Sequence, residues 1–251
     1  MHGCLINLIR LSAAVLVGVC VLCAPGQART PSPSPLPQKS DKAPAALALP
    51  GPSSVFSRRR AGTGFFVDDD GRLVTAYHVV VGCGRVMVVK EDHHVEAKVV
   101  ALSAKRDLAL LAASRTLGLA AVFPQTVRTD ASDMVFAAAY DSLPGLKLGG
   151  GVLANATVTG RGGDGELALD SSVTFGASGA PVLDKLGLVQ GVISHRTGTG
   201  RVLAASAGDT KAFLLANSVD IAEDDRPQMA PFASRAHRAA SISVRVLCLQ
   251  R

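Results

Sequence analysis

The chain has 251 residues, 48% of them hydrophobic, with no tryptophan and only 4% aromatic residues. A real core is therefore available, but Val, Leu and Ala must fill it, and the length allows one large or two small domains. The formal net charge is +6. No basic stripe is interleaved with aromatic residues and no recognition-helix pattern occurs, so a nucleic-acid partner is excluded in favour of a mildly basic soluble protein.

Residues 1–28 read as a secretory signal. A short basic region ends at Arg10, an apolar run covers residues 11–23, and small residues stand at Gly26 and Ala28, where a signal peptidase reads them. The run falls short of the roughly 20 residues that span a bilayer comfortably, so an uncleaved anchor is the lesser reading. Val19 and Leu22 are too bulky to make a lipid-attachment signal of Cys20 or Cys23. The chain is thus expected to be exported, to a bacterial periplasm or the medium, with its mature start near Arg29.

Cleavage would remove Cys4, Cys20 and Cys23 and leave Cys83 and Cys248. An oxidising compartment makes such a pair available for a disulfide. Nothing in the spacing says whether the two meet. Residues 29–53 are rich in Pro, Ser and Ala and read as an extended linker without a core of their own. Arg58-Arg59-Arg60 reads as a solvated flank in preference to a processing site or an anion contact.

The folded region is expected over residues 54–216. Residues 62–67 and 72–75 form a hairpin across Asp68-Asp69-Asp70-Gly71, since Asp-Gly supplies the backbone conformations a tight turn needs. Residues 85–89 and 95–100 form another, with 91–94 at its tip. Residues 107–111 form a buried strand that a carboxylate begins. A second set is expected at 134–139, 149–159, 166–169, 181–183, 188–193 and 201–205. A short helix at 209–216 follows, capped by Asp209. Strands this closely spaced imply an all-β fold of two antiparallel units, about 54–122 and about 123–216. Residues 217–251 are expected to be disordered, although 242–246 alternate as a strand would.

The stretch that carries chemistry is Gly176-Ala177-Ser178-Gly179-Ala180-Pro181. A serine among small residues can stand on a tight turn with its hydroxyl exposed, and Gly176 tolerates positive φ. The backbone N–H groups of Gly176 and Ser178 can converge on a developing oxyanion. Serine needs a base to become a nucleophile. His78 and Asp107 precede it in the order His, Asp, Ser, whereas an α/β-hydrolase requires Ser, acid, His. His78, Asp107 or Ser178 alone would read as a core histidine, a strand cap or a simple turn. Their joint order favours a triad.

Residues 62–67, Gly71 through Val80 with His78, Asp107-Leu108-Ala109-Leu110-Leu111, and the turn around Ser178 together resemble the trypsin-like serine peptidases of the chymotrypsin superfamily. The chain is most similar to the bacterial HtrA-like (Deg) branch, without PDZ domains. The resemblance covers about 54–216 and implies two six-stranded antiparallel β-barrels with a short C-terminal helix. It implies a serine endopeptidase acting on polypeptides through an acyl-enzyme. Ser178 would be the nucleophile, His78 the base and Asp107 its orienter, with Gly176 and Ser178 forming the oxyanion hole. No metal or organic cofactor is implied, and His93-His94 reads as a solvated hairpin tip. Counting back from the nucleophile puts Ser172 near the base of the specificity pocket, with Ser194, His195 and Arg196 along its edge. A neutral base argues against strict Arg/Lys preference, and His195 with Arg196 would favour an acidic side chain if they are not simply exposed loop residues.

Ala177 and Ala180 depart from the usual turn. Ala177 cannot form the buried ion pair by which digestive proteases respond to a new N-terminus. Ala180 would be strained if its backbone needed positive φ. These departures motivate the rival reading, a weakly active or inactive binding protein on a protease fold.

Overall fold

The computed structural model describes residues 59–148, 154–198, 200–231 and 233–250. The expected signal, residues 1–28, the linker, 29–53, and the start of the strand expected at 149–159 lie outside the described residues. Among the described residues no helix is long and apolar enough to cross a membrane.

Strands β1 (Arg59–Phe66) and β2 (Arg72–Ala76) pair as the expected hairpin, Phe65 opposite Val74. The single helical turn α1 (Tyr77–Val80) follows at once. Strands β3 (Arg85–Lys90), β4 (His93–Ser103) and β5 (Leu108–Ala113) come next, with His93 and His94 exposed at the start of β4. The two-residue strand β6 (Val122–Phe123) leads to the second unit. That unit comprises β7 (Met134–Val135), helix α2 (Leu143–Leu148), β8 (Ala156–Arg161), β9 (Leu167–Ser171), β10 (Pro181–Leu183), β11 (Val189–Arg196) and β12 (Arg201–Ser206). Its six strands run in the order β10-β11-β12-β9-β8-β7, and a bridge between Phe136 and Leu183 draws the ends together. The expected class, two six-stranded antiparallel barrels, is the one observed.

Helix α3 (Ala207–Ala216) ends this unit. Its N-cap is Ser206, whose side chain accepts from the Asp209 N–H, not Asp209 itself. Asp209 sits three residues inside and accepts from the Ser206 hydroxyl at 2.8 Å, so the two residues bond each other reciprocally.

The described residues of the tail, expected to be disordered, instead form strands and a helix. After β13 (Ala222–Glu223), which pairs in parallel with β6, comes helix α4 (Arg235–Ile242), capped by Ser234 and burying Ala236, Ala239 and Ile242. Strand β14 (Ser243–Leu249) then inserts between β1 and β3, with Val246 opposite Gly62 and Val88. The closed order is β1-β14-β3-β4-β5-β2. The first barrel is therefore not confined to about 54–122: its sixth strand arrives from the far end of the chain. Val244, Val246 and Cys248 are fully buried, which is the burial that the alternation encodes. Lys90 holds the junction, donating to the carbonyls of Ala240 (2.7 Å), Ser241 (3.0 Å) and Ser243 (3.0 Å).

The strand sequences read as continuous apolar runs because both faces are buried. Phe65, Leu108 and Leu110 enter a cluster shared with Val189, Val192 and Phe213 of the second unit. Their neighbours Phe66, Ala109 and Leu111 enter the first barrel's interior with Val88 and Val246. Each buried Phe or Leu contributes about 1.5–3 kcal/mol.

Cys83, just beyond α1, is disulfide-bonded to Cys248 in β14, with a Cα–Cα separation of 5.4 Å. The bond closes a loop spanning 165 residues, so the double substitution Cys83→Ser/Cys248→Ser is expected to cost about 2–4 kcal/mol in thermal unfolding while β14 stays in place. A chain ending at residue 242 leaves β1 and β3 with open edges and is expected to lose cooperative unfolding by calorimetry.

Candidate active site

A one-turn helix such as α1 has no stability of its own. Contacts at both ends hold it. The Tyr77 N–H donates to the Asp107 carbonyl (3.1 Å) and the His78 N–H donates to Asp107 Oδ1 (3.0 Å). From the other end Arg60 Nη1 donates to the His78 carbonyl at 2.8 Å, and Nη2 donates to the Val81 carbonyl. Arg60 is thus no solvated flank: its guanidinium caps the turn that carries His78 and lies against the Cys83 and Cys248 sulfurs.

The structure brings His78 and Asp107 together. His78 Nδ1 lies 2.9 Å from Asp107 Oδ2 and 3.1 Å from Oδ1. An ionised carboxylate only accepts, so Nδ1 carries the proton and the Nε2 lone pair is left as a base. Asp107 has φ of 50°, a left-handed conformation that aspartate visits more readily than most residues. Burial pushes its carboxyl up, but the bonds from His78, from the Ser194 hydroxyl and from the His78 backbone outweigh burial and hold it below its ordinary 3.8.

Ser194 Oγ donates to Asp107 Oδ2 and lies 2.9 Å from His195 Nδ1. A hydroxyl has one proton, and Asp107 takes it. The bond to His195 therefore runs from its Nδ1–H to Ser194.

Ser178 stands on the turn before β10, against the first barrel. The Thr63 N–H donates to the Ser178 carbonyl at 2.9 Å. The fully buried Thr63 hydroxyl donates to the Gly176 carbonyl (2.7 Å) and accepts from the Tyr140 N–H (2.9 Å). Left-handed backbone falls on Gly176 and Gly179, each with φ of 86°. Ala180 is not among the residues with positive φ, so it is unstrained, and its side chain is fully buried in the second unit's core beside Ala177. At Gly179 a Cβ would collide with the Thr63 carbonyl and the Thr75 hydroxyl. The N–H groups of Ala177, Gly179 and Ala180 are all taken. Among the described residues those of Gly176 and Ser178 carry no hydrogen bond, and none joins the Ser178 hydroxyl to His78.

A cavity of about 290 Å³ opens beside Ser178, lined by Val173, Gly176, Ile193, Ser194, His195 and Arg196 among others. Fully exposed Phe175 stands on its lip. Ser172, expected at the base, does not line it. Strand β9 ends with Ser171 turned inward, so Ser172 faces out and lines a separate cavity with Asn155 and Ala137. Buried Val173, Ala177, Ile193 and Val202 and exposed Phe175 are the apolar residues of the lining. Sequence reasoning missed Thr63 and Arg60, whose roles depend on partners far along the chain. The only local signal was a threonine between two glycines in a strand.

A family model described as the trypsin-like peptidase domain matches residues 62–192, just over half of the chain. The chain is 32% identical over 235 residues to the uncharacterized protein y4bJ of Sinorhizobium fredii, covering 87% of this chain and 36% of that one. It is 27% identical to the serine endoprotease DegS of Salmonella typhimurium, covering 74% of this chain and 60% of that one. The crystal structure of the serine endoprotease from Yersinia pestis shares the fold with a TM-score of 0.54 and 20% identity, over 69% of this chain and 60% of that one. The matches thus span between 36% and 60% of the length of these proteins.

Substitutions at two positions test the site's construction. With its carboxyl held low, Asp107 stabilises the folded state above its ordinary value of 3.8, and that stabilisation is lost as pH falls through the lower folded value. Ser194→Ala removes one of the bonds responsible, so the midpoint of acid unfolding, followed by circular dichroism, is expected to move to higher pH. Thr63→Val leaves the Gly176 carbonyl and the Tyr140 N–H without their partner and is expected to cost about 1–3 kcal/mol. Thr63→Ser should retain most of that in denaturant titrations.

Proposed function

Because the chain belongs to the trypsin-like peptidase family, we propose that it is an exported serine endopeptidase of the HtrA-like branch that hydrolyses polypeptides through a His78–Asp107–Ser178 triad. The observation that carries this reading is the Asp107 carboxylate bound to His78 Nδ1 at 2.9 Å, which leaves Nε2 as the free base. The two unengaged N–H groups in the Ser178 turn support it.

Ser178 Oγ attacks the scissile carbonyl carbon while its proton passes to His78 Nε2. The carbonyl electrons move onto oxygen, where the Gly176 and Ser178 N–H groups stabilise the charge. Collapse of this intermediate breaks the C–N bond, and His78 gives its proton to the departing amine. Water, deprotonated by His78 in turn, attacks the ester and releases the acyl product and Ser178. Asp107 stays ionised throughout, fixing the imidazole tautomer and opposing the charge of the imidazolium. No metal or organic cofactor enters these steps.

The test is labelling by a fluorophosphonate together with peptide turnover. The protein is expected to label and Ser178→Ala is not. His78→Ala should lose roughly 10⁴-fold or more in turnover while keeping the fold, as judged by circular dichroism. The rate should climb from acid towards neutral pH, because only a neutral imidazole accepts the proton. Absence of labelling in the folded protein would favour the rival, a binding protein on a protease fold. Unchanged turnover in His78→Ala would mean that another group is the base.

A further inference from the structure

Building on the peptidase reading, we propose that the cavity beside Ser178 receives an acidic side chain, aspartate or glutamate, on the acyl side of the bond attacked, and that Arg196 reads its carboxylate. The cavity adjoins both the nucleophile and the Gly176 amide, so the side chain next to the reacting carbonyl is the one it meets.

Arg196 is the last residue of β11, and the pairing of β11 with β12 shifts register between Ile193 and Arg196. Such an irregularity re-aims a side chain, and Arg196 lines the cavity. Its Nη2 donates to the carbonyl of Val173, another residue of the lining. That bond fixes the guanidinium and uses one of its five N–H donors. Among the described residues no carboxylate pairs with it.

The lining holds two basic side chains, His195 and Arg196, and no acidic one. Asp107 touches this wall only from behind Ser194, with its oxygens engaged by His78 and Ser194. His195 is the lesser partner, because its Nδ1–H is committed to Ser194. Arg196 stays charged at every relevant pH. Val173, Ile193 and Val202 give the lining a buried apolar part, whereas Arg196 itself is exposed, so solvent screens part of its charge. A lysine or arginine side chain entering the same cavity meets a fixed like charge.

Binding separates this proposal from the chemistry. Fluorescent peptides ending in Glu, Asp, Gln, Leu or Lys are titrated into the Ser178→Ala protein and followed by anisotropy. The acidic peptides are expected to bind at least about tenfold more tightly than the Gln peptide, a difference of about 1.4 kcal/mol. Adding Arg196→Gln should abolish that preference and Arg196→Lys should keep part of it. Equal affinity for Glu and Gln, tighter binding of Leu, no measurable binding of any peptide, or a preference that survives Arg196→Gln would each overturn the assignment. Library cleavage by the protein with Ser178 intact distinguishes the two readings. Cleavage after aliphatic residues overturns the acidic pocket and leaves the peptidase standing. Acid-selective binding without fluorophosphonate labelling does the reverse.

Discussion

At Gly179 the turn that bears Ser178 lies directly on the backbone of β1 and β2, where a Cβ would strike the Thr63 carbonyl and the Thr75 hydroxyl. This contact registers one barrel against the other. The glycine permits the approach, and Thr63 fixes it with three hydrogen bonds, to the Ser178 carbonyl, the Gly176 carbonyl and the Tyr140 N–H. Thr63 itself is fully buried, where an unmade bond is costly. The position of Ser178 relative to His78 follows from this seam, since α1 follows β2 directly.

The same seam explains the composition. Strands β1 and β5 bury both faces, one in the first barrel and one against the second unit. A sheet buried twice has little use for polar alternation, so β5 reads Leu-Ala-Leu-Leu-Ala-Ala. Small and branched aliphatic residues suit such a layer, and the chain reaches a dense core without tryptophan.

Asp107 is the electrostatic centre of the site. It orients His78 through two atoms of that residue, the backbone N–H and Nδ1, and takes the only proton of Ser194. A cost in backbone strain at φ of 50° and in desolvation is offset by those bonds, which keep the carboxylate ionised. Through Ser194 it also reaches the wall of the cavity that holds His195 and Arg196, so His78 and that wall share one anchor.

The sequence by itself determined the short-range features. Gly176 announced a turn with left-handed backbone, Asp-Gly a hairpin, and the closely spaced apolar runs most of the strands. The motif order carried the resemblance on which the candidate triad rests. Only the tertiary structure decided which distant edges meet. Nothing near residue 243 says that β14 will enter between β1 and β3. Neither spacing nor composition says that Cys83 will find Cys248, that Arg60 will cap the His78 turn, or that Ser172 will face a different cavity from Ser178. Local propensity is written in neighbours three or four residues apart. Strand pairing and buried hydrogen bonding depend on groups brought together by the whole fold, and a residue's role there exists only once its partner has arrived.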